Sequence, residues 1–359
     1  MVLKIIINII LENTNNILNF QYFLKLKYTP SVFYHILTKY IMNTQRKIVI
    51  PGGSGFIGQV LAKHFVKQGD EVIILTRGAT KEKDGIQYLQ WDGVNLEDSW
   101  AKTFEGADAI INMAGRTVNC RYNEKNKQQI YDSRLFSTEV IGKAIAACNN
   151  APKLWINAGS ATIYRHALDR PMDEATGELG TGFSVDVCQK WEATFQRMET
   201  PNTRKLMLRI AIVIGREPGG ALEPLMNLVK YGLGGTQGKG NQYVSWVHEH
   251  DVVKAIEWLM AHEEVTGIVN VSSPNPLPNK QFMKTLRQVM KRPFGLPATR
   301  WMLEIGAWVI GTETELILKS RQVVPGRLQE MGFELQYPTV KEALVEIIHG
   351  DRASQPVNA

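Results

Sequence analysis

Cysteine is scarce in this chain, with only Cys120, Cys148 and Cys188 in 359 residues. The three share no metal-like spacing and are too few for a disulfide framework. That excludes a small stapled secreted fold and makes a reducing, cytoplasmic compartment the expected one. No stretch approaches the run of about eighteen apolar residues that a membrane span requires, so no membrane partner is expected. A strong charge of either sign is also missing. Of the formal +6, residues 1–41 supply +3 through Lys4, Lys25, Lys27 and Lys39 against Glu12, and no basic block remains to grip nucleic acid. There is no short-period repeat, which excludes a solenoid. Residues 1–41 themselves contain no Gly, Ala, Asp, Arg, Cys or Trp. Without arginine they make a poor mitochondrial presequence. Ile5–Leu11, interrupted by Asn8 and lacking a small-residue cleavage site, makes a poor signal peptide. We read Met42 as the native start and 1–41 as a translated leader outside the fold.

What is present is an ordinary globular composition, 44% apolar and 21% charged, long enough for one large α/β domain and a smaller one. The chain is organised around Lys47–Gly58. The apolar run Ile48–Ile50 drops into glycines at Gly52, Gly55 and Gly58, and a helical pattern follows. That order predicts a buried strand, a tight turn and a helix N-terminus. Such a turn brings the backbone of Gly52, Gly53, Ser54, Gly55, Phe56, Ile57 and Gly58 against a pyrophosphate, which the helix dipole favours. A glycine turn without a ligand is the plainer alternative. The second predicted strand, Glu71–Thr76, leads into Arg77-Gly78 with no acid for a ribose 2′-hydroxyl. A guanidinium suits a 2′-phosphate. Thr76 and Arg77 therefore favour NADP(H) over NAD(H), the alternative being that Arg77 is a solvated loop residue.

Further strands are predicted at Ile86–Leu89, Ala109–Asn112, Leu154–Ala158 and, as one element, residues 205–214. The fourth runs into Asn112-Met113-Ala114-Gly115, small residues suited to close approach of a ligand. Five strands separated by crossover helices predict an α/β protein with a Rossmann-type doubly wound parallel sheet over residues 43–215. Residues 216–350 read as a smaller, helix-rich substrate side with some strands returning to the main sheet, and 351–359 as a tail. Within that second part, Gly232–Gly240 reads as a mobile flap over the substrate.

In these residues the chain resembles the extended short-chain dehydrogenase/reductases. The spacing Gly52-x-x-Gly55-x-x-Gly58, Asn112-x-Ala114-Gly115 and Ser160 at the end of the fifth strand occupy the matching places. More narrowly it resembles the YfcH-like family of nucleoside-diphosphate-sugar epimerase homologues. The matching stretches are Asn112–Gly115, Asp132-Ser-Arg134, Cys188-Gln-Lys-Trp-Glu192, Leu208-Arg-Ile210, Gly234-Gly235, Ser245-Trp-Val-His248 with Asp251, and Gly332-Phe333. The likeness runs from Arg46 to Ile348. It implies an NADP-binding domain followed by a C-terminal domain characteristic of the family, and adds Ser133 to the candidate cofactor residues.

One feature of the superfamily is missing: a Tyr-x-x-x-Lys pair in the helix after the fifth strand, whose lysine lowers the phenol's pKa for proton transfer. Here Phe183–Glu192 holds no tyrosine; the tyrosine place falls on Ser184 and the lysine place on Cys188. The pair Tyr337–Lys341 lies far past the sheet with Pro338 inside it, and reads as a coincidence. The catalytic candidates are Ser160 and Thr162, to hydrogen-bond a substrate hydroxyl or carbonyl, and Tyr164, as acid/base if Lys190, Arg165 or the cofactor cation supplies charge. A packing tyrosine is the alternative.

The substrate candidates are Arg116, Arg209 and Trp246. Trp246 with Arg116 offers an apolar and cationic rim for an anionic substrate, or else Trp246 is core. Arg209 lines the cleft or pairs with a helix acid. His248-Glu249-His250-Asp251 contains metal-ligand types, but a loop that caps the next helix through Asp251 explains them, and no metal is expected. Gly238-Lys239 fails as a phosphate loop, with Gly240 where Ser or Thr is required and Leu233 where the first glycine belongs. The expected function is an NADP-dependent oxidoreductase or epimerase acting on a small-molecule polar substrate, with a nucleotide sugar among the options. The alternative from a different class is a non-catalytic NADPH-binding redox sensor or assembly factor. Subunit number is not legible in the sequence, a homodimer being one option.

Overall fold

The structure is a computed structural model that describes residues 45–310 and 313–350. The expectations for the leader 1–41 and the tail 351–359 lie outside those residues. From Arg46 onward the chain forms one compact unit.

Its frame is an eight-stranded sheet built from β1 (Lys47–Pro51), β2 (Glu71–Thr76), β3 (Lys81–Lys83), β4 (Ile86–Gln90), β5 (Ala109–Asn112), β6 (Leu154–Ser160), β7 (Arg204–Ile210) and β11 (Gly267–Val271). The spatial order is β11-β7-β6-β5-β1-β2-β4-β3. All neighbours are parallel except the edge pair β3–β4. The inner strands are apolar on both faces because helices cover both. Ile48 and Ile50 point into one layer with Leu61 and Phe65 of α1 (Phe56–Lys67) and with Val252, Ile256 and Leu259 of α5 (Glu249–Ala261). Val49 points the other way, into a layer with Trp100, Phe104, Ile141 and Ile145 of α2 (Glu124–Ala146), and Phe195 of α3 (Phe183–Arg197).

The chain leaves β1 towards β2 and β4, then returns to lay β5 on β1's other side, with Ile48 opposite Ala109. That reversal creates a crevice at the carboxyl ends of β1 and β5, the place where open α/β sheets bind ligands.

Three sequence expectations are corrected. No helix joins β2 to β4; the nine intervening residues hold β3, and the chain turns at Asp84 and Gly85, both with positive φ. Residues 205–214 are not one strand. Ala211 donates its N–H to Val271, and β8 (Ile212–Ile214) leaves the main sheet to pair with β10 (Trp246–His248). Residues 243–247, whose sequence Tyr-Val-Ser-Trp-Val predicts a single strand, also divide, between β9 (Tyr243–Val244) and β10, at Ser245, whose hydroxyl ties both Arg321 and Val323. Beyond the sheet, α4 (Leu222–Lys230), α6 (Asn279–Val289) and α8 (Val340–His349) pack around Trp246, Phe282 and Leu344. Between α6 and α8 runs α7 (Arg300–Ile310). A capping box, Thr339 with Glu342, starts α8.

Candidate active site

The turn after β1 is set by contacts that only glycine permits. Gly52 has φ +74°, and a Cβ there would sit 2.5 Å from the Ala114 Cα of the β5 loop. A Cβ on Gly58 would run into the Gly53 backbone, so its absence lets α1 lie on the turn. Gly55 differs. It is exposed, with ordinary φ, and a Cβ would meet only Gly52 O, at 3.6 Å. Its emptiness serves no packing purpose. As N-cap of α1 it is followed by Phe56, Ile57 and Gly58, whose amides have no intrahelical acceptor. No acid in the first turn competes for them. Thr76 at the end of β2 donates to Ser54 Oγ at 3.1 Å, linking the turn to the next strand end, and Arg77 stands exposed just beyond.

The β5 loop forms the opposite lip. Met113 N donates to Pro51 O at 2.8 Å. Asn112 is wholly buried: its amide bonds Asn157 at 2.6 Å and its carbonyl receives Ala114 N at 3.0 Å. The Asn112 side chain therefore shapes the loop. Ser133 of α2 accepts Arg116 N at 2.9 Å. The Arg116 guanidinium turns onto α2, bonding Asn126 at 3.0 Å and also Gln129.

Past β6, Ser160 accepts Thr162 N at 3.2 Å and both stay half-buried. Tyr164 does not. At 1% exposure, its hydroxyl donates to Asn270 Oδ1 at 2.9 Å and receives Arg209 at 3.0 Å. Burial raises the phenol's pKa, against the lowering effect of the neighbouring Arg209. The other expected charge sources are committed elsewhere, Lys190 to Asp186 and Arg165 to Asp169 and Glu178. Tyr164 thus has the surroundings of the packing tyrosine given as the alternative to an acid/base. Arg209 takes the helix-acid option, gripping Glu192 with two hydrogen bonds of 2.8 Å.

Trp246 is fully buried, its indole N–H bonded to Asn275 O, so it forms no rim with Arg116. His248, also buried, accepts His250 N at Nδ1 and so carries its hydrogen on Nε2, towards Glu346 at 2.9 Å. It is His248 that caps α5, while Asp251 receives Gln336 N and Tyr337 N. Among the described residues no group of three or more His, Cys, Asp or Glu is placed to hold a metal ion. Residues 232–240, expected as a flap, are laced to 296–298. Leu296 N reaches Gly232 O, Gly235 N reaches Leu296 O, and Gly238 N reaches Ala298 O. Among the described residues no helix is long and apolar enough to cross a membrane.

Ser184 and Cys188 of α3 lie buried, facing a group the sequence reading missed. Arg134 of α2 lies against Gly115 with its guanidinium 5.1 Å over the Trp191 ring. Arg321 donates Nε to Thr162 O at 3.3 Å. The Tyr122 hydroxyl and Ser184 Oγ are buried beside one another, and neither has a further hydrogen-bond partner among the described residues. Arg134 had a signal, its place in Asp132-Ser-Arg134; Arg321 had none, being 187 positions away from it.

The sequence matches the NAD dependent epimerase/dehydratase family over residues 48–272 and a domain of unknown function (DUF1731) over 298–347. It is similar to the epimerase family protein YfhF of Bacillus subtilis, 33% identical with 84% of this chain and 97% of that one covered. The epimerase family protein SA0724 of Staphylococcus aureus is 30% identical, with 84% and 99% covered. Among solved structures, the human epimerase family protein SDR39U1 (isoform 2), determined with NADPH, superposes with a TM-score of 0.74 at 28% identity, covering 84% of this chain and 98% of that one.

Proposed function

Because this chain belongs to the NAD dependent epimerase/dehydratase family, we propose that it is an NADP(H)-dependent oxidoreductase or epimerase acting on a small polar substrate of the nucleotide-sugar kind. The observation that carries the reading is the empty space at Gly55 beside the unpaired amides of Phe56, Ile57 and Gly58. A pyrophosphate fits that cradle, and the helix dipole favours its charge. Human SDR39U1, solved with NADPH, supports the choice of nucleotide. When bound, the nicotinamide supplies hydride transfer.

The chain's own residues divide the remaining work. Gly52–Gly58 hold the diphosphate, Thr76 and Arg77 the 2′-phosphate end, and Met113–Gly115 with Ser133 form the far lip. Residues 43–215 supply this half and 216–350 the substrate wall. Ser160 already accepts an N–H from Thr162, so its own hydrogen is free to donate to a substrate oxygen.

The test is to titrate the purified protein with NADPH and NADH by nucleotide fluorescence, then to follow NADPH oxidation with a panel of ketones and nucleotide sugars. Tight NADPH binding with turnover of at least one substrate is expected, and failure to bind either nucleotide refutes the reading. Binding without turnover selects a non-catalytic NADPH sensor. One observation favours that second reading: Ser184 and Cys188 stand where the resembled superfamily carries its proton-relay pair.

A further inference from the structure

Arg134 and Arg321 present a physical problem. Guanidinium groups stay protonated in proteins, so a shielded one needs an anion or a full set of acceptors. Arg134 has one protein acceptor, Ile130 O at 3.1 Å, and Arg321 has one, Thr162 O at 3.3 Å. Neither forms an ion pair among the described residues. The nearby carboxylates are engaged, Glu315 by Lys319 and Glu192 by Arg209. Cys188 brings no compensating charge, because burial pushes its thiol up to about 11. For both arginines burial disfavours the charge; the Glu315 carboxylate offsets part of this for Arg321, and both arginines have Cys188 and Tyr122 as neighbours. The hydroxyls of Tyr122 and Ser184, which have only each other as partners, lie in the same cluster. Two cations and two hydroxyls with donor and acceptor capacity to spare thus gather where α2, α3, the Ser160–Thr162 turn and Arg321 come together.

We propose that Arg134 and Arg321, with Tyr122 and Ser184, form a receptor for a compact anionic group of the substrate, a carboxylate or phosphate held next to Ser160 and Thr162. This rests on the functional reading above and narrows it: the substrate is anionic close to its reacting carbon. The two guanidiniums supply donors in fixed planes, which suits a flat carboxylate or a tetrahedral phosphate. The receptor is separate from the diphosphate cradle, whose donors are backbone amides.

The test is calorimetry on the full chain saturated with NADPH, using malonate and inorganic phosphate as probes in separate titrations. One probe is expected to bind at one site per chain, and the stronger of the two identifies the group. Arg321→Gln should weaken that probe at least tenfold while NADPH affinity stays within twofold, and Arg321→Lys should fall between. Arg134→Gln should weaken it likewise. The proposal is overturned if neither probe binds, if both variants bind the probe as the wild type does, or if the probe displaces NADPH. The same titrations on the nucleotide-free protein separate the two readings. A probe that binds there while NADPH never binds upholds the receptor and refutes the cofactor assignment.

Discussion

Replacing Gly55 with alanine separates a glycine kept for packing from one kept for a ligand. At Gly52 and Gly58 a Cβ meets backbone, which has no way to give, and at Gly52 the φ of +74° adds strain. Gly52→Ala and Gly58→Ala should therefore cost on the order of 1–3 kcal/mol or more in overpacking and weaken cofactor binding as a by-product. At Gly55 the nearest atom to an added Cβ is 3.6 Å away and φ is −81°. Alanine caps a helix less well than glycine, but it narrows the unfolded ensemble, so the net change should stay within about 1 kcal/mol. For domains of roughly this size that amounts to a melting shift of about 2–4 °C at most. On the proposed reading the same Cβ enters the space the diphosphate would take beside the Phe56–Gly58 amides. Losing one or two charge-assisted hydrogen bonds there, at about 1.5–3 kcal/mol each, should weaken NADPH binding on the order of ten- to ten-thousandfold. Differential scanning fluorimetry and nucleotide fluorescence titration on the same preparations measure both quantities. A Gly55→Ala protein that melts normally and still binds NADPH within twofold of wild type would refute the cradle.

Arg77→Ala should weaken NADPH binding by about 1.5–3 kcal/mol and leave NADH unchanged by calorimetry; equal losses would mean Arg77 does not read the 2′-phosphate. Glu192→Ala strips the partner from buried Arg209 and should destabilise by about 3–5 kcal/mol in urea unfolding. The double replacement Glu192→Met with Arg209→Met should recover part of that, and no recovery would show that the cost is not the stranded charge. The Glu346 carboxylate is raised by burial but more strongly lowered by the His248 hydrogen bond and by the Arg216 charge, for a net value below the ordinary one. Its stabilising effect is therefore present above the unfolded-state pKa and lost as pH falls through the folded one. Between about pH 5 and 3.5, around the ordinary glutamate value, wild-type stability should fall more steeply than that of Glu346→Gln; parallel curves would contradict this.

Where local chemistry is decisive, the chain could be read without coordinates. The strand–glycine–helix order at Lys47–Gly58 forces one turn because backbone sterics at Gly52 and Gly58 leave no alternative, and the apolar runs of β1, β2 and β5 announce a sheet covered on both faces. Side chains whose roles depend on distant partners were not legible. Arg209 looks the same in sequence whether it faces a ligand or Glu192, and only the juxtaposition of α3 with β7 decided between them. Tyr164 found its hydrogen-bond acceptor in Asn270, 106 positions away. Trp246 went into the core because α6 and α8 close over it. Arg134 and Arg321 became a pair only when α2 and the segment after residue 313 met beside Thr162. A backbone amide is offered to a ligand by its neighbours in the chain. A side-chain charge is offered or withheld by whatever the fold brings within about 4 Å of it, because at that range one carboxylate outweighs any local preference.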